Sequence, residues 1–296
     1  MDRNKRRALF LFGLAGLAVV GLFAALWATR HDGATWPDKV LPGEARTGSL
    51  TIDVAAPLAN VHVREAKVPG RPIVLIDAGH GGKDPGATGV SGTTREKNLT
   101  LAMSTELADL LQRRGRVRVA LTREGDSYLT LEDRAAIARS LGASLFLSIH
   151  MDSAPNPDAK GATVYSLSDV ASSVEAAQFA KAENEREGAL SSDSDDQVRA
   201  LLSDVALREQ MEDSAMLAER AVRQASLGHV ALRPRPHQFA AFHVLRRAET
   251  PAILFEAGYI SNADDEVRLM TKQGRAPLVL ALAQAIEADI AARTAQ

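Results

Sequence analysis

The sequence predicts an α/β fold: a mainly parallel, twisted sheet with helices on both faces. Three observations carry this. Residues 73–76 are a continuous apolar run and 145–149 a second run broken only by Ser148, the pattern of strands covered on both sides. Between them, apolar residues recur at helical spacing. From Arg71 onward, strand-like and helix-like segments alternate, which implies parallel pairing through crossover connections.

The elements follow in order. After the 73–76 strand, Leu99, Met103, Leu107, Leu110 and Leu111 mark a helix with Gly115 as its C-cap. Val117, Val119 and Leu121 alternate as a strand. Leu131, Ala135, Ala138 and Leu141 mark a helix stopped by Gly142. Residues 145–149 and 161–167 are the next strands, and Ile253, Leu254 and Phe255 form a short buried one. Pro277, placed in a first turn, opens a closing helix through Val279, Leu282, Ile286 and Ile290. Arg233-Pro-Arg-Pro236 reads as a rigid loop.

Composition narrows the class of function. The formal net charge of the 296 residues is −2 and only 4% are aromatic, with no basic cluster, so a nucleic-acid partner is excluded. There is no cysteine. Disulfides are absent, and a zinc ion can be held only by histidines and carboxylates. Arg3, Lys5, Arg6 and Arg7 precede 21 uncharged residues, 8–28. That is too long for a signal-peptide core and long enough to span a membrane. It favours an uncleaved anchor over a cleaved signal, and the basic flank places the remainder on the extracytoplasmic side.

Residues 1–30 are thus an anchor or signal sequence, 31–70 a tether with short strands at 49–54 and 61–63, and 71–296 one catalytic domain. Within it, residues 175–220 carry twelve acids against five bases, with a helical stripe of Val198, Leu201, Leu202 and Val205. This is a helical acidic insertion.

Four residues share a topological position. His80 lies just past the first strand and His150 ends another. Glu256 ends a third, and Glu96 starts the helix after the first. In an open α/β sheet, ligands bind at the carboxyl ends of the strands, so all four converge on one rim. Each alone has an ordinary explanation: a satisfied polar histidine, a helix-start acid, a surface acid. Together they fit a catalytic zinc site. His80, Glu96 and His150 are three ligands, which leaves a fourth position open, and Glu256 is the separate proton carrier. Asp77, Asp84 and Asp152 are candidates to hold the second ring nitrogen of a histidine. The glycines between His80 and Glu96 let that loop fold back on itself.

The blocks Asp77-Ala-Gly-His80-Gly-Gly-x-Asp84-x-Gly86, Glu96-Lys97, Leu121-Thr-Arg123, Ser148-Ile-His150-x-Asp152 and Glu256-x-Gly-x-Ile-Ser-Asn262 resemble the zinc-dependent N-acetylmuramoyl-L-alanine amidases of the type 3 family. The likeness spans residues 71–294. It implies a peptidoglycan hydrolase in the cell envelope that cuts the amide between N-acetylmuramic acid and the L-alanine of the stem peptide. It implies one zinc on His80, Glu96 and His150, with Glu256 as catalytic acid/base, and a structural or substrate-orienting Arg123. In division-associated members an inserted helix covers the cleft until an activator protein displaces it. Residues 175–220 lie in that interval, and Glu183, Glu185, Glu187, Asp193, Asp195 and Asp196 are the candidate zinc caps. Two rivals are a catalytically silent wall-binding module and a zinc peptidase of stem peptides.

Overall fold

The computed structural model describes residues 61–187 and 200–294. The expected anchor or signal, the tether up to residue 60, and Asp193, Asp195 and Asp196 lie outside the described residues. Among the described residues, no helix is long and apolar enough to cross a membrane.

Strand β1 (Val63–Arg64) is followed by β2 (Ile73–Ala78), α1 (Glu96–Arg114), β3 (Arg118–Leu121), α2 (Leu131–Leu141) and β4 (Leu145–Asp152). Then come β5 (Ala162–Leu167), α3 (Val174–Glu187), α4 (Ala200–Leu227) and β6 (Leu232–Ala240). The chain closes with α5 (His243–Arg247), β7 (Ala252–Tyr259), α6 (Ala263–Met270) and α7 (Lys272–Thr294). One sheet holds the strands in the order β1-β3-β2-β4-β7-β5-β6. β3, β2, β4 and β7 run parallel, β5 lies antiparallel to β7, and β6 runs parallel to β5. β1 adds an antiparallel edge to β3, so the sheet recruits residues ahead of Arg71.

Alternation along the strands divides the core. Val74, Ile76, Leu147, Ile253 and Phe255 pack against α1, α6, α7 and the later part of α4. Leu75, Phe146, Tyr165 and Leu254 pack against α2, α3, α5 and Leu207 and Met211 of α4. Helices therefore cover both faces, as predicted. The acidic insertion is α3 and α4, and both contribute to the core. Gly115 and Gly142 end α1 and α2 in left-handed conformations, and Thr130 with Asp133 forms a capping box on α2.

Three sequence expectations shift. Neither His150 nor Glu256 ends its strand: β4 runs on to Asp152 and β7 to Tyr259, because the ladder continues past a bulge at residues 150–152. The closing helix starts at Lys272 and takes Pro277 into its interior. Thr271 makes this possible, since its hydroxyl caps Gly274 N–H, while Arg275, bonded to Glu106 and Leu269 O, anchors the first turn. Arg233-Pro-Arg-Pro236 is a bulge within β6 rather than a free loop.

Beneath the strand ends lies a fully buried pair. Asp77 accepts from Arg134, Thr122 Oγ1 and Ser148 Oγ. Burial works against charge on Asp77, but Arg134 and the two hydroxyls outweigh it and hold the carboxyl below its ordinary value. A depressed carboxyl contributes stability that is present above about pH 4 and lost as pH falls through its lower folded-state value. Asp77→Ala removes the carboxylate held against the buried Arg134 guanidinium, so denaturant unfolding should show a loss of about 3–5 kcal/mol at neutral pH and a shallower acid limb. A loss under about 1 kcal/mol, the scale of an exposed pair, contradicts this.

Candidate metal centre

Arg134 does more than pair with Asp77. Its guanidinium also donates to Ala78 O and His80 O. Arg123, equally buried, donates to Ala78 O, Gly79 O and Lys97 O. Two cations thus grip three successive carbonyls after β2, and one of them also ties down the turn after Glu96. They hold His80 in a left-handed backbone conformation (φ 60°) that non-glycine residues rarely adopt. Arg123 is structural, one of the two roles the sequence left open for it.

Asp84 Oδ2 lies 2.7 Å from His80 Nδ1. With Nδ1 donating to that carboxylate, Nε2 is the ring atom that would face a metal. Of the three candidate partners, Asp84 takes this role. Asp77 belongs to Arg134, and Asp152 accepts from the Tyr259 hydroxyl.

Glu96 reaches the same spot from the first turn of α1. Its Oε2 accepts from Ala87 N–H and its Oε1 from Met151 N–H. Oε1 stands 3.0 Å from His80 Nε2 and 3.2 Å from His150 Nδ1. Two glycines permit this crowding. A Cβ on Gly86 (φ 64°) would lie 2.5 Å from Glu96 Oε2, and one on Gly79 would lie 2.4 Å from the His150 ring.

The fourth member comes from α3. Glu183 Oε2 is 3.9 Å from His150 Nδ1, and ligand atoms of His80, His150 and Glu183 all lie within 4.8 Å of one another. The sequence named Glu183 among six acids but had no means to single it out. Glu185 instead faces solvent beside Lys181, and the described part of Glu187 is its backbone alone. Glu256 is fully buried on β7, paired in register with His150 on one side and with Thr163 of β5 on the other. None of the other described histidines joins the group; His237, for instance, bonds Ser166.

The donor set fits a zinc ion. His80 Nε2 is buried and has no well-aligned hydrogen bond, its nearest polar neighbour being Glu96 Oε1 at 3.0 Å. Burial alone would lower the His80 pKa, but Glu96, Asp84 and Glu183 override it and push it up to about 11. Burial likewise opposes charge on Glu96, yet His80 and His150 hold it well below the usual carboxylate range. A buried point with so strong a preference for positive charge suits a dication bound by two imidazoles and carboxylate oxygens.

The N-acetylmuramoyl-L-alanine amidase family matches residues 74–288 of the chain. The chain is 34% identical over 221 residues to N-acetylmuramoyl-L-alanine amidase AmiA of Escherichia coli (strain K12), covering 73% of this chain and 75% of the relative. Among solved structures, N-acetylmuramoyl-L-alanine amidase AmiC2 of Nostoc punctiforme superposes with a TM-score of 0.54 at 27% identity, over 77% of this chain and 99% of that one. The CwlD amidase from Clostridioides difficile, solved in complex with the GerS lipoprotein, shares the fold. Its TM-score is 0.56 at 21% identity, over 75% of this chain and 99% of that one.

The close approach at Gly86 yields a prediction. Gly86→Ala strains a left-handed position and displaces Glu96. Zinc affinity in a chelator competition should fall about 10- to 100-fold, the scale for disturbing a ligand's support. An unchanged affinity would show that Glu96 does not bind the metal.

Proposed function

The chain belongs to the N-acetylmuramoyl-L-alanine amidase family, and from that premise we propose how its residues cut the amide between N-acetylmuramic acid and L-alanine. His80, Glu96 and His150 hold one zinc ion. The observation that carries this is the convergence of a buried imidazole nitrogen with a carboxylate and a second imidazole, beside a buried glutamate in register with His150. When bound, zinc supplies Lewis-acid polarisation of the scissile carbonyl and acidifies the attacking water. Glu256 takes the proton from that water and passes it to the nitrogen of the leaving L-alanine. Asp84 fixes the tautomer of His80, and the Arg123–Arg134 grip fixes its backbone.

The resting enzyme is closed. Glu183 occupies the remaining ligand direction, and α3 shields the site from the substrate. Phe179 of α3 stacks with Tyr165 and Phe242, while the Asn184 carboxamide bridges Ala241 O and His243 N, at 2.9 Å each. An activator protein opens the site by breaking these contacts. The CwlD amidase, which shares this fold, has been solved in complex with a lipoprotein, so the fold can carry a bound protein partner. The chain acts in the cell envelope, tethered through residues 8–28, in wall remodelling as daughter cells separate.

Two substitutions test the assignment on purified sacculi. Glu256→Ala should cut the release of stem peptides that begin with L-alanine by about 100- to 10,000-fold, with zinc retained. Glu183→Ala should raise basal release, and combining it with Glu256→Ala should abolish that gain. Deleting the insertion is a poorer test, because Leu207 and Met211 belong to the core. Unchanged release in Glu183→Ala removes the closed resting state. Shortened peptides still joined to muramic acid would mark a peptidase instead.

A further inference from the structure

The Arg233-Pro-Arg-Pro236 tract is the one sequence motif the amidase chemistry leaves unused. On β5 a single residue, Thr163, separates Ala162 from Val164. Their partners on β6 are Leu232 and His237, so four residues of β6 stand opposite one. The two prolines suit this site, since residues bulged out of a ladder need no N–H to donate. Thr163 is also the residue paired with Glu256. The bulge therefore leaves the sheet in the row that carries the catalytic glutamate.

Arg233 is held over that row by Tyr259. Nη1 donates to the Tyr259 hydroxyl at 2.6 Å, and the guanidinium lies 5.4 Å from the ring centroid. Tyr259 faces this side because β7 bulges at Gly258 (φ 150°), which brings Tyr259 into register with Asp152. The buried Tyr165 hydroxyl feels Asp152, Glu256 and Arg233 together. Among the described residues no carboxylate comes within ion-pair distance of Arg233; Asp152 feels its charge from across the Tyr259 hydroxyl that both side chains share, and the half-buried guanidinium spends one donor on that phenol. Two strand spacings, about 10 Å, separate its backbone from that of Glu256. Two extended residues span up to about 7 Å, and the arginine side chain covers the remainder.

We propose that Arg233 is a specificity-determining residue that binds a free carboxylate on the stem peptide, one residue beyond the L-alanine released by the cut. This inference rests on the amidase reading and narrows its substrate. A stem-peptide residue linked through its side chain keeps an α-carboxyl, which is either free or amidated. A guanidinium takes a carboxylate through two parallel hydrogen bonds, and the neutral amide offers one acceptor and no charge.

The test uses two synthetic muropeptides that differ only in whether that α-carboxyl is free or amidated. kcat and KM are measured on the zinc-loaded full chain carrying Glu183→Ala, with and without Arg233→Gln or Arg233→Lys. The parent should favour the free acid in kcat/KM by about tenfold or more, the scale of a charge-assisted bidentate pair. Arg233→Gln should remove that preference, mainly through KM, and leave the amidated substrate unaffected. Arg233→Lys should restore part of it. Equal turnover of both substrates by the parent overturns the inference, as does an equal loss on both in Arg233→Gln, which would mark a purely structural arginine. Failure to cleave either substrate would instead refute the amidase reading itself.

Discussion

The buried contact between Asp77 and Arg134 is the constraint on which the site depends. A charge pair without access to water persists only when its remaining donors and acceptors are met. Here Ser148 and Thr122 donate to the carboxylate, and Ala78 O and His80 O accept from the two terminal guanidinium nitrogens. The pair thereby couples β2, β3, β4 and α2 to the backbone of His80. Arg123 extends that coupling to Lys97, next to Glu96. His80 and Glu96, on different elements, are thereby fixed relative to each other, which is the preorganisation the proposed metal site would need.

Above this layer, the sheet register sets the chemistry. His150, Glu256 and Thr163 form a row across β4, β7 and β5. Neighbouring strands lie about 4.8 Å apart, so Glu256 sits one strand spacing from His150, close enough for the proton-carrying role proposed for it. The α3 helix covers the same face, and its apolar residues Ala176, Phe179 and Ala180 pack on the core while Glu183 points into the ligand cluster. One helix thus supplies both packing on the core and a carboxylate beside the two histidines.

Much of this was legible in the sequence. The apolar runs before Asp77 and His150 located two strands, and the glycine-rich loop located the first ligand, because burial on both faces and left-handed turns leave direct marks on composition. His80, Glu96, His150 and Glu256 could be grouped because each follows an apolar run or opens a helix, although β4 and β7 run on past His150 and Glu256. Other features were not readable. Glu183 is one acid among twelve in its segment, and only the packing of Phe179 decides which one turns inward. Arg134 sits in a helix whose pattern looks ordinarily amphipathic, yet its guanidinium is almost wholly buried. The bulge that places Arg233 depends on the register between β5 and β6, a long-range property no local pattern contains. Pro277 misled because a capping threonine and a buried arginine ahead of it start the helix early.

The most direct measurement is anomalous diffraction at the zinc edge from crystals of the zinc-loaded full chain. One zinc per chain should lie between His80 Nε2 and His150 Nδ1, bound by Glu96 and by Glu183 as the fourth ligand. A zinc bound elsewhere, or bound by the two histidines with Glu183 turned to solvent, would contradict the account.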